Sequence, residues 1–393
     1  FFFLMIRRPP RSTQSRSAAA SDVYKRQHDY LQVDPLLGGN KAFKELLNEA
    51  HKRGIRIVLD GVFNHSSRGF FQFNHVLEVG PKSPYLDWFF IHGFPLHAYE
   101  GTPNYACWWS LPGLPKLNTN NPQVRKFIFN VARYWLEEGI DGWRLDVPFE
   151  IDDDDFWREF REVVKSANPD AYIVGEIPSE AQRWMRGDMF DAVMNYQLTH
   201  ACLAFFGGSR TNKALAEGMM GLTAPEAMDA AQFAKRTQEL LEIYPKEFAY
   251  AQLNLLDSHD MPRFLSLVNE DTQRLYLAYL FIMTYPGAPC IYYGDEIGLT
   301  GGADPMCRKS FPWDESTWNN NLRSKLRELT LLRHAMPVLR TGAYLPLLSQ
   351  DSLLVYARKD DEDAAFVAIN LEDSARTISI LSLIHISEPT RPY

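Results

Sequence analysis

Six times along this 393-residue chain, a stretch of helical periodicity hands over to a short apolar run that stops at charged or amide side chains. The clearest cases are IRIVLDGVFNH at 55–65, GIDGWRLDV at 139–147 and AYIVGEI at 171–177. A helix followed at once by a buried strand is the repeating unit of an α/β fold. Strands buried on both faces read as near-continuous apolar runs, as in a parallel sheet. In such folds the chemistry sits at the C-terminal ends of the strands, which is where the polar residues gather here. No solenoid repeat or low-complexity linker interrupts the pattern.

The local signals predict a helix over 40–54, with Asn40 as N-cap and Gly54 as stop, then a strand over 55–63. Asn121-Pro122 opens a second helix that ends at Gly139 and delivers the chain into a strand over 140–147. The aspartates at 152–155 resemble a metal loop, but with helix residues directly behind them and no glycine turn they read as the acidic first turn of a helix reaching 167. Strands are expected over 171–177, 190–196, 252–258 and 288–296. The stretch 201–250 reads as mostly helical, and further helices are expected over 274–285 and 321–335. Between 66 and 118 the alternation gives way to an aromatic, proline- and glycine-rich insertion. So long an irregular stretch is functional or a small subdomain. Its aromatics read mainly as core, with a few on the cleft side available to stack on sugar faces. From 344 to 380 the pattern changes to short alternating strands, the start of an antiparallel β domain.

The ends read differently. The segments 17–27 and 381–391 resemble in-frame translations of sequencing adapters, so 1–27 and 381–393 are expected to be non-native. The apolar run at the N-terminus is too short for a bilayer span or signal core. These ends hold seven of the 41 basic and two of the 49 acidic residues, which takes the net charge from −8 to −13 for the remainder. An acidic chain argues against nucleic acid or an anionic membrane as partner, and suits a neutral substrate. Cys107, Cys202, Cys290 and Cys307 show no CxxC or zinc spacing. They read as buried free thiols, which favours a reducing, cytoplasmic setting.

At the strand ends stand Asp60, Asn64 and His65; Arg144 and Asp146; Glu176; His259 and Asp260; and Asp295 and Glu296. Arg144 and Asp146 lie two apart, so on a strand they face the same side. Taken alone they are a structural ion pair. Recurrence at successive strand ends points instead to an active site. There is no glycine-rich phosphate cradle, and the histidines lack HExxH-like spacing. Carboxylates in excess, with an Arg and two His, supply what glycoside hydrolysis needs: one ionised carboxylate beside the anomeric carbon and one protonated carboxyl beside the leaving oxygen.

The motifs resemble the four signature regions of the α-amylase superfamily of glycoside hydrolases. Asp60–His65 is similar to the first, Gly142–Val147 to the second, Gly175–Ile177 to the third and Ser258–Asp260 to the fourth. Leu114–Asn118 is similar to the MPKLN variant of the neopullulanase, cyclomaltodextrinase and maltogenic amylase branch, and 301–314 also suits it. The resemblance implies a (β/α)8 TIM barrel, N-terminally truncated, with the insertion after the third barrel strand and a partial C-terminal β domain. The expected domains are the catalytic barrel over 28–337, containing the inserted subdomain at about 66–118, and the β domain over 338–380.

Carried over residue by residue, the resemblance makes Asp146 the nucleophile, Glu176 the general acid and then base, and Asp260 the third carboxylate, holding the sugar's 2- and 3-hydroxyls. Arg144 would orient Asp146, His65 and His259 would bind sugar hydroxyls, and Asp60 would be structural or subsite-lining. Glu150 is retained from the branch. The implied activity is retaining hydrolysis of α-1,4, and some α-1,6, bonds in cyclodextrins, pullulan or maltodextrins. The alternatives are an α-glucosidase or trehalose-forming enzyme, a non-catalytic sugar-binding relative, and an inactive fragment. No cofactor is expected; calcium through Asn64, as in some relatives, lacks a clear ligand set. Dimerisation in this branch uses an N-terminal domain not found in this sequence. Two departures bear on substrate: Val-Pro-Phe-Glu follows Asp146 in place of Val-Ala-Asn-Glu, and Ile-Pro-Ser follows Glu176 in place of Ile-Trp-His, which removes a Trp beside the acid/base.

Overall fold

A computed structural model describes residues 28–218 and 223–378; both adapter-like ends lie outside the described residues, as do the last two residues of the expected strand at 376–380. The chain forms two compact units. One runs to Ile177 and takes in Ala181–Met194; the other comprises Pro178–Glu180 and the chain from Asn195 onward.

In the first unit, helix α1 (Gly39–His51) leads to strand β1 (Val58–Gly61). Gly38 at φ 99° stands at the N-cap position, not Asn40. Asn40 lies inside the helix, accepting from Val33 N–H at 2.8 Å and donating to Leu31 O at 2.9 Å, so it ties down the incoming chain. Gly54, at φ 69°, turns the chain after the helix as expected. The insertion contains helix α2 (Phe71–Val79) and isolated bridges that join His65 to Lys116 and Phe89 to Leu117.

Helix α3 (Pro122–Glu138) begins as the sequence dictates. Asn121 caps it by accepting from Gln123 N–H, Pro122 takes the first turn, and Gly139 at φ 112° closes it. It buries Val124, Ile128, Val131, Ala132, Trp135 and Leu136, and leads into β2 (Gly142–Leu145). Each such large apolar side chain contributes about 1.5–3 kcal/mol on burial. Helix α4 (Asp154–Ala167) is capped by Asp153, whose side chain accepts from Phe156 N–H at 3.0 Å. Asp152 and Asp154 pair with Arg183 at 2.6 Å each, and Asp155 with Arg158 at 2.8 Å. The tetrad therefore serves as cap and ion-pair surface. Strands β3 (Tyr172–Gly175) and β4 (Ala192–Val193) complete a four-stranded parallel sheet in the order β1-β2-β3-β4. Its register sets Asp60 beside Arg144, and Leu145 beside Gly175, one step before Asp146 and Glu176.

In the second unit, helix α5 (Tyr196–Cys202) starts inside the expected strand at 190–196, because Asn195 caps it through Leu198 N–H. Helix α6 (Ala230–Glu242) carries a capping box between Asp229 and Gln232. Strand β5 (Leu253–Asn254) pairs in parallel with β6 (Ala288–Pro289), and between them lies α7 (Thr272–Thr284). The expected strand at 288–296 ends early at Pro289; Cys290 N–H still bonds Asn254 O at 2.7 Å before the chain leaves the sheet. The chain then turns at Gly294 (φ 93°), and Asp295 and Glu296 sit on a 3-10 turn. Helix α8 (Asn320–Ala335) precedes an antiparallel sheet of β7 (Ala343–Gln350), β8 (Leu353–Lys359) and β9 (Ala364–Asn370), the antiparallel elements the sequence pattern predicts. Among the described residues, no helix is long and apolar enough to cross a membrane.

Candidate active site

Adjacent parallel strands in register end at the same level, so the residues just past β1, β2 and β3 meet. Asp146 N–H still bonds Gly61 O at 3.1 Å and Glu176 N–H still bonds Leu145 O at 2.9 Å, so both residues are held at the sheet's edge. Arg144, on β2, is the common partner. Its Nη1 donates to Asp60 Oδ1 at 2.8 Å and to Asp146 Oδ1 at 3.0 Å, and its Nη2 lies 2.6 Å from Glu176 Oε1. The Arg144, Asp146 and Glu176 side chains are almost fully buried, whereas Asp60 is partly exposed. The resemblance assigns Arg144 to Asp146; in the structure it reaches Glu176 as well. Asp146 Oδ2 is buried and has no hydrogen-bond partner among the described residues.

The turn after Asp146 is strained. Val147 has φ 37° and ψ 51°, a left-handed conformation that a β-branched side chain rarely adopts. The strained turn aims Val147 N–H at Glu176 Oε2, 3.3 Å away, and the side chain packs against Trp108 and Leu114. Pro148 then opens a 3-10 turn that carries Glu150, whose carbonyl and carboxylate accept from Lys116 Nζ at 2.9 and 3.5 Å. His65 is fully buried. Its backbone carbonyl accepts from Tyr30 OH at 3.0 Å, and its ring stacks on Trp108 with centroids 5.0 Å apart. Asn64 donates to the His65 ring at 3.2 Å and offers one buried amide oxygen. Calcium takes six to eight oxygen ligands, and an imidazole is a poor neighbour for so hard an ion.

In the second unit, His259 and Asp260 follow β5. His259 Nε2 is 3.0 Å from Asp260 Oδ2, and Arg308 donates to Asp260 Oδ1 at 2.7 Å while pairing with Asp304 at 2.8 Å. Cys307 Sγ lies 3.1 Å from His259 O, and burial pushes its thiol up to about 11. Cys290 is likewise pushed up to about 12 by burial, so these thiols are unreactive packing groups. Asp295 belongs to a different network. It accepts from Arg263 Nη1 at 3.0 Å and from Tyr279 OH at 2.6 Å, while Asp257 accepts from Phe264 N–H at 2.6 Å. Burial drives the Asp295 carboxyl well above the ordinary carboxylate range and raises that of Asp257 too. Glu296 is raised for the same reason.

Sequence reasoning places Asp295 with the strand-end polar groups but does not tell a buried ion pair from a solvent-facing one. It also misses Arg308, which lies inside the quoted 301–314 motif without a role, and the Trp108–Trp109 pair, hidden among many aromatics.

Carboxylates at the ends of parallel α/β strands are the arrangement of a barrel-enzyme site, and the chain belongs to the alpha-amylase catalytic-domain family, matching it over residues 18–336. The fold class is accordingly a (β/α)8 barrel with a C-terminal β sheet. It is 44% identical over 360 residues to a cyclomaltodextrinase from a Bacillus species, covering 91% of this chain and 61% of that protein. It is 42% identical to neopullulanase 2 of Thermoactinomyces vulgaris, covering 89% of this chain and 57% of that one. The chain thus spans about three fifths of the length of these relatives. Among solved structures, the debranching enzyme of Nostoc punctiforme is 47% identical with a TM-score of 0.87, covering 90% of this chain and 73% of that one.

Proposed function

We propose that this chain carries out retaining hydrolysis of α-glucosidic bonds, α-1,4 and to a lesser extent α-1,6, in cyclodextrins, pullulan or maltodextrins. One observation carries the reading. A single buried guanidinium, that of Arg144, holds Asp146 and Glu176 side by side from adjacent strand ends, while Asp146 Oδ2 keeps no hydrogen bond among the described residues. A retaining glycosidase needs two carboxyls about 5–5.5 Å apart, one to attack and one to pass a proton. Asp146 Oδ2 attacks the anomeric carbon while Glu176 gives its proton to the leaving oxygen. The resulting glycosyl ester is then cleaved by water, whose proton returns to Glu176. Asp260, held by Arg308, is the group proposed to bind the 2- and 3-hydroxyls, and His65, His259 and Asp60 complete the sugar contacts. Four free cysteines, two of them fully buried, fit a reducing cytoplasm.

The test is the anomeric configuration of the first product from maltohexaose, read by proton NMR. Retention is expected; inversion, or turnover by Asp146→Asn near the wild-type rate, would sink the assignment. Activity of Asp146→Asn should fall by at least about 10⁴-fold with its unfolding midpoint little changed, a loss of roughly 5 kcal/mol of transition-state stabilisation.

A further inference from the structure

The insertion holds three stacked rings that run from the buried site to solvent. His65 stacks on Trp108 at 5.0 Å with 11° between planes, and Trp108 stacks on Trp109 at 4.7 Å with 8° between planes. Trp108 is buried, whereas Trp109 is 77% exposed. One face of the Trp109 indole lies on Trp108 and the other is open to water. The inner end of the column is anchored beside the catalytic candidates, because Trp108 packs on Val147, the residue after Asp146.

Holding an indole there costs backbone strain. Trp109 has φ 51° and Ser110 has φ 57°, two consecutive non-glycine residues in the left-handed region. Such strain persists only where the surroundings fix it, and it concentrates at binding and catalytic sites. Hydrogen bonds close the loop at both ends: Trp108 N–H donates to Leu114 O and Leu111 N–H to Trp108 O, each at 3.0 Å. Other exposed aromatics lack this combination. Tyr99 is covered by the Arg68 guanidinium at 4.3 Å, and Trp313 meets Phe311 tilted, with 59° between planes, and not in a face-to-face stack.

We propose that Trp109 is a sugar-stacking platform that binds a glucose ring of an α-glucan outside the cleavage position. The inference rests on the proposed function and names part of its binding surface. An open indole face on a rigid stack offers flat apolar area to the C–H face of a pyranose. The negative face of the indole repels an anion and offers flat apolar area that matches the C–H face of a neutral sugar.

The test compares the full chain with Trp109→Ala and Trp109→Phe. Binding of maltotriose and maltohexaose is measured by calorimetry with each in an Asp146→Asn background that stops cleavage, and kcat and KM are measured on the forms that retain Asp146. For Trp109→Ala the affinity for maltohexaose should fall roughly tenfold, the size expected for one lost stacking contact. The ratio of maltohexaose to maltotriose affinity should fall with it, and Trp109→Phe should restore most of the loss. The inference is overturned if Trp109→Ala binds both sugars as wild type does, or if both fall by the same factor together with the thermal midpoint, the signature of a structural role. If wild-type protein hydrolyses maltohexaose while Trp109→Ala leaves the ratio unmoved, the platform fails and the proposed function stands. If wild type neither binds nor cleaves any α-glucan, both fail.

Discussion

Replacing Asp295 by Asn should leave stability little changed near pH 4 and raise it progressively as pH rises. Asp257 and Asp295 are fully buried around one cation, Arg263, and burial raises both carboxyls. One guanidinium can balance one carboxylate, so the native pair retains a proton, with Asp295 the more strongly raised member. The unfolded chain releases that proton near pH 4. Above that pH and up to the raised native value, the folded state holds one more proton than the unfolded state. Stability then falls as pH rises, by about 1.4 kcal/mol per pH unit for one whole proton. Below the unfolded value both states hold the proton and the term disappears. The amide introduced by Asp295→Asn keeps an oxygen to accept from Arg263, turns its NH2 towards Tyr279 OH, which can accept in place of donating, and leaves Asp257 to balance Arg263 alone, so this slope should vanish in the variant. Urea unfolding at pH 5, 6, 7 and 8 measures it. Wild type and Asp295→Asn should converge towards low pH and separate as pH rises, the variant gaining. Parallel curves, or a variant that loses ground at high pH, would refute a shared proton. Removing the cation instead, with Arg263→Met, strands two acids and their hydrogen-bond partners and should cost about 3–5 kcal/mol.

Two further outcomes test how the framework is held. Asn121→Ala removes the side-chain acceptor for Gln123 N–H and should lower stability by about 1 kcal/mol without changing KM, as read by urea unfolding and steady-state kinetics. Arg358, fully buried on β8, donates to Leu339 O at 2.8 Å and Gly342 O at 2.6 Å. Arg358→Met would strand these carbonyls and should cost about 2–5 kcal/mol in the same assay, whereas a loss under about 1 kcal/mol would show that water replaces the guanidinium.

How much of this is legible in the sequence depends on how local the signal is. Asn121-Pro122 and Gly139 mark a helix by themselves, because cap and stop act within one turn. The acidic turn at 152–155 is readable for the same reason, since Asp153 bonds its own helix. Asn40 misleads because its amide serves residues seven and nine positions upstream and Gly38 makes the turn. Strand lengths are overread at 190–196 and 288–296, where an apolar run continues into a capped helix or into a segment that leaves the sheet and turns at Gly294. Periodicity reports burial, whereas a ladder needs a partner strand. At the site, motif spacing picks out Arg144, Asp146 and Glu176, but not the reach of Arg144 to Glu176 or the role of Arg308. Both depend on residues 32 and 48 positions apart meeting in space.

The same distinction bears on why the site is built around Arg144. A cluster of Asp60, Asp146 and Glu176 without a cation would resist burial, since like charges at this range disfavour joint ionisation. With the guanidinium present, Asp146 can be drawn fully out of water with a cation beside its carboxylate, as the proposed nucleophile requires. Arg144 reaches its partners from the central strand of three, so strand register and not loop conformation sets the distances. A Lys in its place would keep the charge but lose the fork that reaches Asp146 from Nη1 and Glu176 from Nη2. Arg144→Lys should therefore leave the fold largely intact and still lose activity by about a hundredfold or more, because small misplacements of reacting groups are that costly. The loss should fall on kcat more than on KM, since substrate contacts made elsewhere remain. Steady-state kinetics on maltohexaose, with urea unfolding as control, decide it. Near-wild-type kcat in a folded Arg144→Lys protein would show that a point charge suffices and that the forked geometry is incidental.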